Sequence, residues 1–151
     1  MMNGKPGFDV GALLTGPVRA ITVQRIEWYD SAMLSAATNE LRQVGSNIHT
    51  DEEFAKSEGF PTVNADGMIM TNWCSEMLVR VFGMDYLERG ELRTKYIKPT
   101  NLGVLLHVRG RIRDAVRQPN GNTLYAIDVW CEDQNGTKLV DGDAKVEVAR
   151  A

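Results

Sequence analysis

The run Gly67-Met68-Ile69-Met70-Thr71-Asn72-Trp73-Cys74-Ser75-Glu76-Met77-Leu78-Val79-Arg80-Val81-Phe82 carries apolar side chains over most of its length. At helical spacing Met68, Ile69, Met70, Trp73, Cys74, Met77, Leu78, Val81 and Phe82 cover most of the circumference instead of one stripe. A helix that is apolar nearly all round is either buried or membrane-spanning, and Asn72, Glu76 and Arg80 make this one buried. A buried helix needs a wrapper, and the sequence that follows supplies one.

Leu92 to Lys98, Val104 to Val116, Leu124 to Asp133 and Leu139 to Val148 read as strands. They are separated by Pro99 to Gly103, by Pro119-Asn120-Gly121-Asn122 and by Asn135-Gly136, and the last two are hairpin signals. The pattern predicts an α+β fold, a curved antiparallel sheet around one long helix. On the N-terminal side, Met1 to Pro17 is rich in Gly and Pro and is expected to be irregular. Ile21, Val23 and, after a slip, Ile26 and Trp28 predict a first strand over Arg19 to Trp28. Ser31 to Leu41 is expected to be a helix, and Arg42 to Asn47, with Gly45, a loop. Thr50 and Glu53 form a T-x-x-E capping-box pattern for a short helix that ends near Gly59.

A chain of 151 residues, 43% hydrophobic and 25% charged, is long enough for one domain with its own core. A net charge of −3 gives no electrostatic case for nucleic acid. Cys74 and Cys131 make neither a metal-type pair nor a disulfide framework, which points to a reducing compartment. No apolar run approaches the ~18 residues that a membrane span requires, and Met1 to Gly11 lacks the apolar stretch of a secretory signal. A soluble, cytoplasmic protein is expected.

Before the buried helix the sequence reads Asn47-Ile48-His49-Thr50-Asp51, then Glu52 to Ser57, with Gly67-Met68 eighteen residues after His49. This stretch resembles the signature of MaoC-like proteins, the (R)-specific enoyl-CoA hydratases and 3-hydroxyacyl-thioester dehydratases with the hotdog fold. Their motif runs Asp-x-Asn-Pro-aliphatic-His, an acidic residue two places on, a short Ala-containing helix, and Gly-Met opening a long buried helix. Lys95 to Pro99 with Gly103, and Ile127 to Cys131 with Asn135-Gly136 and Gly142-Asp143-Ala144, look like the family's later strands. The resemblance covers roughly Gly16 to Val148 and implies a single hotdog domain over 17–151 behind an irregular 1–16. It departs at one place. Five positions before His49, where the family carries its catalytic Asp, stands Val44, and the Asn-Pro pair is Ser46-Asn47.

Hydrating an enoyl thioester takes a base for water, an acid for the α-carbon, and donors for the enolate-like oxygen. The resemblance makes His49 the acid–base residue and the Gly67 backbone N–H the oxyanion donor. It also implies that Val44, Ser46, Asn47 and Met68 bind substrate. A helix N-terminus suits developing negative charge, and glycine permits close approach of a carbonyl; the plainer role of Gly67 is a turn before the helix. Val44 can do no proton chemistry, so two carboxylates are candidates in its stead. Glu40 stands about one helical turn before Val44, with a solvated helix face as its alternative. Asp66 directly precedes Gly67, with an N-cap as its alternative. His107, Arg109, Arg111 and Arg113 share one face of a strand; Arg111 and Arg113 could hold the phosphates of coenzyme A, or the row could be solvated or a subunit contact.

No metal and no cofactor beyond the coenzyme A of an acyl-CoA substrate are implied. The resemblance implies a homodimer or higher oligomer, with no nucleic-acid or membrane partner. The expected activity is enoyl-CoA hydratase or 3-hydroxyacyl-CoA dehydratase. Two alternatives stand beside it: a non-catalytic acyl-CoA-binding subunit that pairs with an Asp-bearing second hotdog subunit, and a hotdog thioesterase.

Overall fold

The computed structural model describes residues 8–38 and 45–150, with backbone alone over 33–38. Five strands form one antiparallel sheet: β1 (Leu13–Ala20), β2 (Gly90–Tyr96), β3 (Leu105–Arg117), β4 (Thr123–Glu132) and β5 (Lys138–Val148), in the order β1-β3-β4-β5-β2. Four helices accompany it among the described residues: α1 (Val23–Thr38), α2 (Glu52–Ser57), α3 (Gly67–Phe82) and α4 (Met84–Arg89). The fold is the expected hotdog, with α3 as the filling.

α3 is buried for the reason its sequence gives. Cys74, Met77 and Leu78 pack against Val108, Ile112, Ile127, Val129, Val140 and Val146, the inward-facing residues of β3, β4 and β5. Alternation along those strands puts charged residues on the opposite, outer face. β1 approaches α3 closely because Gly16 has no side chain; a Cβ there would lie 2.8 Å from Val108 Cβ and 3.0 Å from Met77 Cβ. Arg19 of β1 then reaches Glu76 of α3 with two hydrogen bonds, 2.5 and 3.0 Å long. A second, smaller core of Ile21, Ile26, Ala55, Val63, Ala65 and Ile69 joins α1 and α2 to the start of α3.

Four expectations are corrected. The first strand is Leu13–Ala20, beginning inside the stretch read as irregular up to Pro17, and α1 already begins at Val23 where a strand and then a later helix were expected. The residues Ile21, Val23, Ile26 and Trp28 mimic alternation, but Ile21, just before α1, and Ile26 within it are buried, while Val23 and Trp28 on the helix are exposed. The Thr50–Glu53 capping box does not form. Asp51 caps α2 by accepting the Phe54 N–H at 3.0 Å, and the Thr50 hydroxyl donates to the Gly45 carbonyl at 3.0 Å instead. A short helix, α4, follows α3 directly where none was expected.

Candidate active site

His49 is held by a turn that Asn47 builds. The Asn47 side-chain oxygen accepts the His49 N–H at 2.7 Å and the Thr50 N–H at 3.0 Å, while its carbonyl accepts the Asp51 N–H at 3.0 Å. The backbone of buried Asn64 clamps this turn on the other side. Its N–H donates to the Ile48 carbonyl at 3.0 Å, and its carbonyl lies 2.8 Å from His49 Nδ1. A carbonyl only accepts, so Nδ1 bears the hydrogen and the neutral ring keeps its lone pair at Nε2. That is the state of a general base.

Three residues beyond Asn64, α3 begins. Asp66 is its N-cap: a carboxylate oxygen accepts the Met68 N–H at 2.7 Å and the carbonyl accepts the Ile69 N–H at 3.1 Å. Among the described residues nothing accepts the Gly67 N–H, the donor left over at a half-buried helix start. Glycine is required at this position by close approach: a Cβ would lie 2.6 Å from the Tyr96 ring. Tyr96 is fixed in turn by its hydroxyl, 2.7 Å from the Thr71 hydroxyl, which lies 2.7 Å from that of Thr94. An open cavity of about 330 Å³ runs past Gly67 between Ile48, Ala65, Met70, Tyr96 and Thr100.

The third wall is α1. Ile26, buried in the smaller core, and Tyr29 and Asp30, three and four residues on, share the face turned towards α3. Tyr29 packs against the smaller core. Asp30 is half-buried, with His49 and Asp66 both within electrostatic reach. Burial pushes its carboxyl above the usual carboxylate range, the Asp66 charge adds to this, and His49 opposes it. Burial, followed by the charges of Asp66, Tyr96 and Asp30, likewise pushes the Tyr29 phenol up.

The structure thus brings together His49, Asp66 and Gly67, with Met68 half-exposed at the rim. Asn47 and Ser46 serve the loop itself, the first as its turn-former and the second by hydrogen-bonding Asp51. Glu40 and Val44 lie outside the described residues. Arg111 and Arg113 line an open hollow of about 770 Å³ on the outer face of the sheet, opposite α3, where Arg113 pairs with Asp128 at 2.8 Å. Cross-strand register there runs Arg111, Asp128, Asp143, Arg93, so the basic row faces acidic neighbours of its own. Among the described residues no group of three His, Cys, Asp or Glu side chains could hold a metal ion, and no helix is long and apolar enough to cross a membrane.

Sequence reading missed Asp30, Tyr29 and Tyr96. The signal for the first two was Thr22, whose hydroxyl accepts the Arg25 N–H at 3.3 Å and marks the start of α1. With that start, Ile26, Tyr29 and Asp30 fall on one helix face.

No family model matches the sequence, and no curated protein matches it. Solved structures do match. The MaoC-like dehydratase from Rhodospirillum rubrum is 19% identical with a TM-score of 0.70, over 95% of this chain and 94% of that one. The (R)-hydratase from A. caviae involved in PHA biosynthesis is 15% identical with a TM-score of 0.69, over 95% and 98%. The HadBC (3R-hydroxyacyl-ACP dehydratase) complex from Mycobacterium tuberculosis is 14% identical with a TM-score of 0.66, also over 95% and 98%. The chain has the fold of these MaoC-like proteins.

Proposed function

We propose that this chain adds water to an enoyl thioester, or removes it from a 3-hydroxyacyl thioester, with coenzyme A as the thioester carrier. One observation carries the reading. His49 is held at Nδ1 by the carbonyl of Asn64, three residues before α3, and the Gly67 N–H that opens α3 has no acceptor among the described residues and borders an open cavity, so a candidate base and a candidate oxyanion donor come from neighbouring segments. In hydration, the substrate carbonyl accepts the Gly67 N–H while His49 Nε2 takes a proton from water. The hydroxide oxygen bonds to the β-carbon as negative charge moves to the thioester oxygen, where the helix dipole and the N–H favour it. No cofactor beyond the substrate's own coenzyme A is needed. Cytoplasmic residence suits the two free cysteines.

A dimer is part of this reading. β1 and β2 leave two sheet edges open to pairing, and one solved relative of this fold is described as a two-component complex. The Val44 departure favours a second reading, in which this subunit completes the acyl-CoA tunnel of an Asp-bearing hotdog partner. A thioesterase would instead release free thiol, which hydration does not.

The test is crotonyl-CoA hydration with a thiol reagent present. His49→Ala should lower the rate by about 10²–10⁴-fold with the melting temperature nearly unchanged. Release of thiol would turn the reading towards hydrolysis. Activity that appears only on mixing with another hotdog subunit would favour the partner-dependent reading.

A further inference from the structure

We propose that Asp30, on the inward face of α1, is the acid–base carboxylate that works opposite His49, in place of the one the loop motif lacks at Val44. The proposal deepens the hydratase reading and rests on it. It names a residue outside the motif, on an element that the motif does not include.

Three observations place Asp30 there. Ile26 sits in the smaller core with Ala65 and Ile69, the residues on either side of Asp66-Gly67-Met68. Asp30 is one helical turn further along the same face, so it stands over the start of α3. Tyr29, beside it, packs against the same smaller core, together with Ile48 of the His49 loop. The charged and titratable groups facing this corner are His49 from the loop, Asp66 from α3, Tyr29 from α1 and, towards Tyr29, Tyr96 from β2. Of the two carboxylates, Asp66 has an oxygen committed to the Met68 N–H as a helix cap. Asp30 has no such duty among the described residues. Burial, with the Asp66 charge added, holds its half-buried carboxyl above the ordinary carboxylate range against the opposing pull of His49.

The step balances with the groups present. In hydration His49 Nε2 receives the proton of water and the C–O bond forms at the β-carbon. The π pair of the double bond moves into the enolate, and that pair takes the Asp30 carboxyl proton at the α-carbon. The carboxylate so formed faces the imidazolium, and the pair returns to its starting state by passing the proton from His49 back to Asp30 through water. In dehydration the Asp30 carboxylate removes the α-proton, and His49 protonates the departing hydroxyl.

The experiment uses the full chain with crotonyl-CoA and 3-hydroxybutyryl-CoA. Asp30→Asn keeps the shape and removes the proton; kcat should fall by about 100-fold or more while KM stays within about threefold. Asp30→Glu, which keeps the carboxyl, should retain more activity than Asp30→Asn. The pH profile of kcat adds a second readout: the limb that belongs to the Asp30 carboxyl should vanish in Asp30→Asn and persist in Asp30→Glu. If Asp30→Asn does not fold, Asp30→Ser takes its place. An active parent whose Asp30→Asn variant keeps kcat within threefold, or keeps the parent's pH profile, overturns the role of Asp30 and leaves the hydratase reading standing. A parent that hydrates no enoyl thioester overturns both.

Discussion

At the scale of single residues, the site depends on what is absent at Gly67. The Tyr96 ring occupies the space a side chain would need, 2.6 Å from an added Cβ. Gly67→Ala must therefore displace Tyr96 and its contact with Thr71, at a cost of about 1–3 kcal/mol by overpacking. Removing the ring by Tyr96→Ala in the same chain should recover much of that loss, giving a clear coupling energy in a denaturant double-mutant cycle. Additive losses would mean that the ring moves aside freely. The residues legible in the sequence were those of one contiguous stretch. His49, Asp66 and Gly67 lie within twenty positions and carry a spacing that can be matched. Tyr96 packs on Gly67 from a strand far along the chain, and no local pattern announces such a contact. Asn47 and Asp66 show the other limit: each was read as a site residue, but each has backbone N–H groups to satisfy.

At the scale of elements, the strands of the second half and the buried helix were readable because alternation and all-round apolarity are strong signals. The first half was not, since Ile21 and Val23 fall at a strand-to-helix junction where β-branched residues occur for different reasons. β1 is also hard to read because Gly16 and Pro17 interrupt it, and the register shifts between Thr15 and Val18. What fastens this strand to α3 is the Arg19–Glu76 pair, with side chains only 26% and 29% exposed, joined by Arg80 at 2.6 Å. The Arg19 guanidinium, hydrogen-bonded to the Glu76 carboxyl, holds it below the usual carboxylate range, and Arg80 adds to this. A carboxyl depressed by folding stabilises the native state above its unfolded value, and that contribution is lost as pH falls through the folded value. Glu76→Gln should thus cost about 1 kcal/mol at pH 7 and progressively less on acidification. Urea unfolding at pH 7 and at pH 3 checks this; an equal deficit at both would point to lost packing instead of lost charge.

At the scale of the whole molecule, α1, the His49 loop, the start of α3 and the end of β2 meet at one corner, while the sheet's outer face balances its own charges. The architecture followed from the pattern of elements, but the assembly of that corner required the fold, because its four contributors are spread from Tyr29 to Tyr96. The molecule also carries two thiols in the middle of its larger core. Cys74 of α3 and Cys131 of β4 lie 3.6 Å apart, both fully buried, and the Cys74 thiol together with burial pushes the Cys131 thiol's pKa up. Neither can meet a reagent while helix and sheet stay together. A thiol-reactive dye should therefore modify both at one common rate, set by how often the chain opens globally, and far below that of the unfolded protein. Separate rates for the two would reveal a partial opening at one of them. Unmutated, the protein carries its own stopwatch for unfolding, readable in dilute buffer without a denaturant.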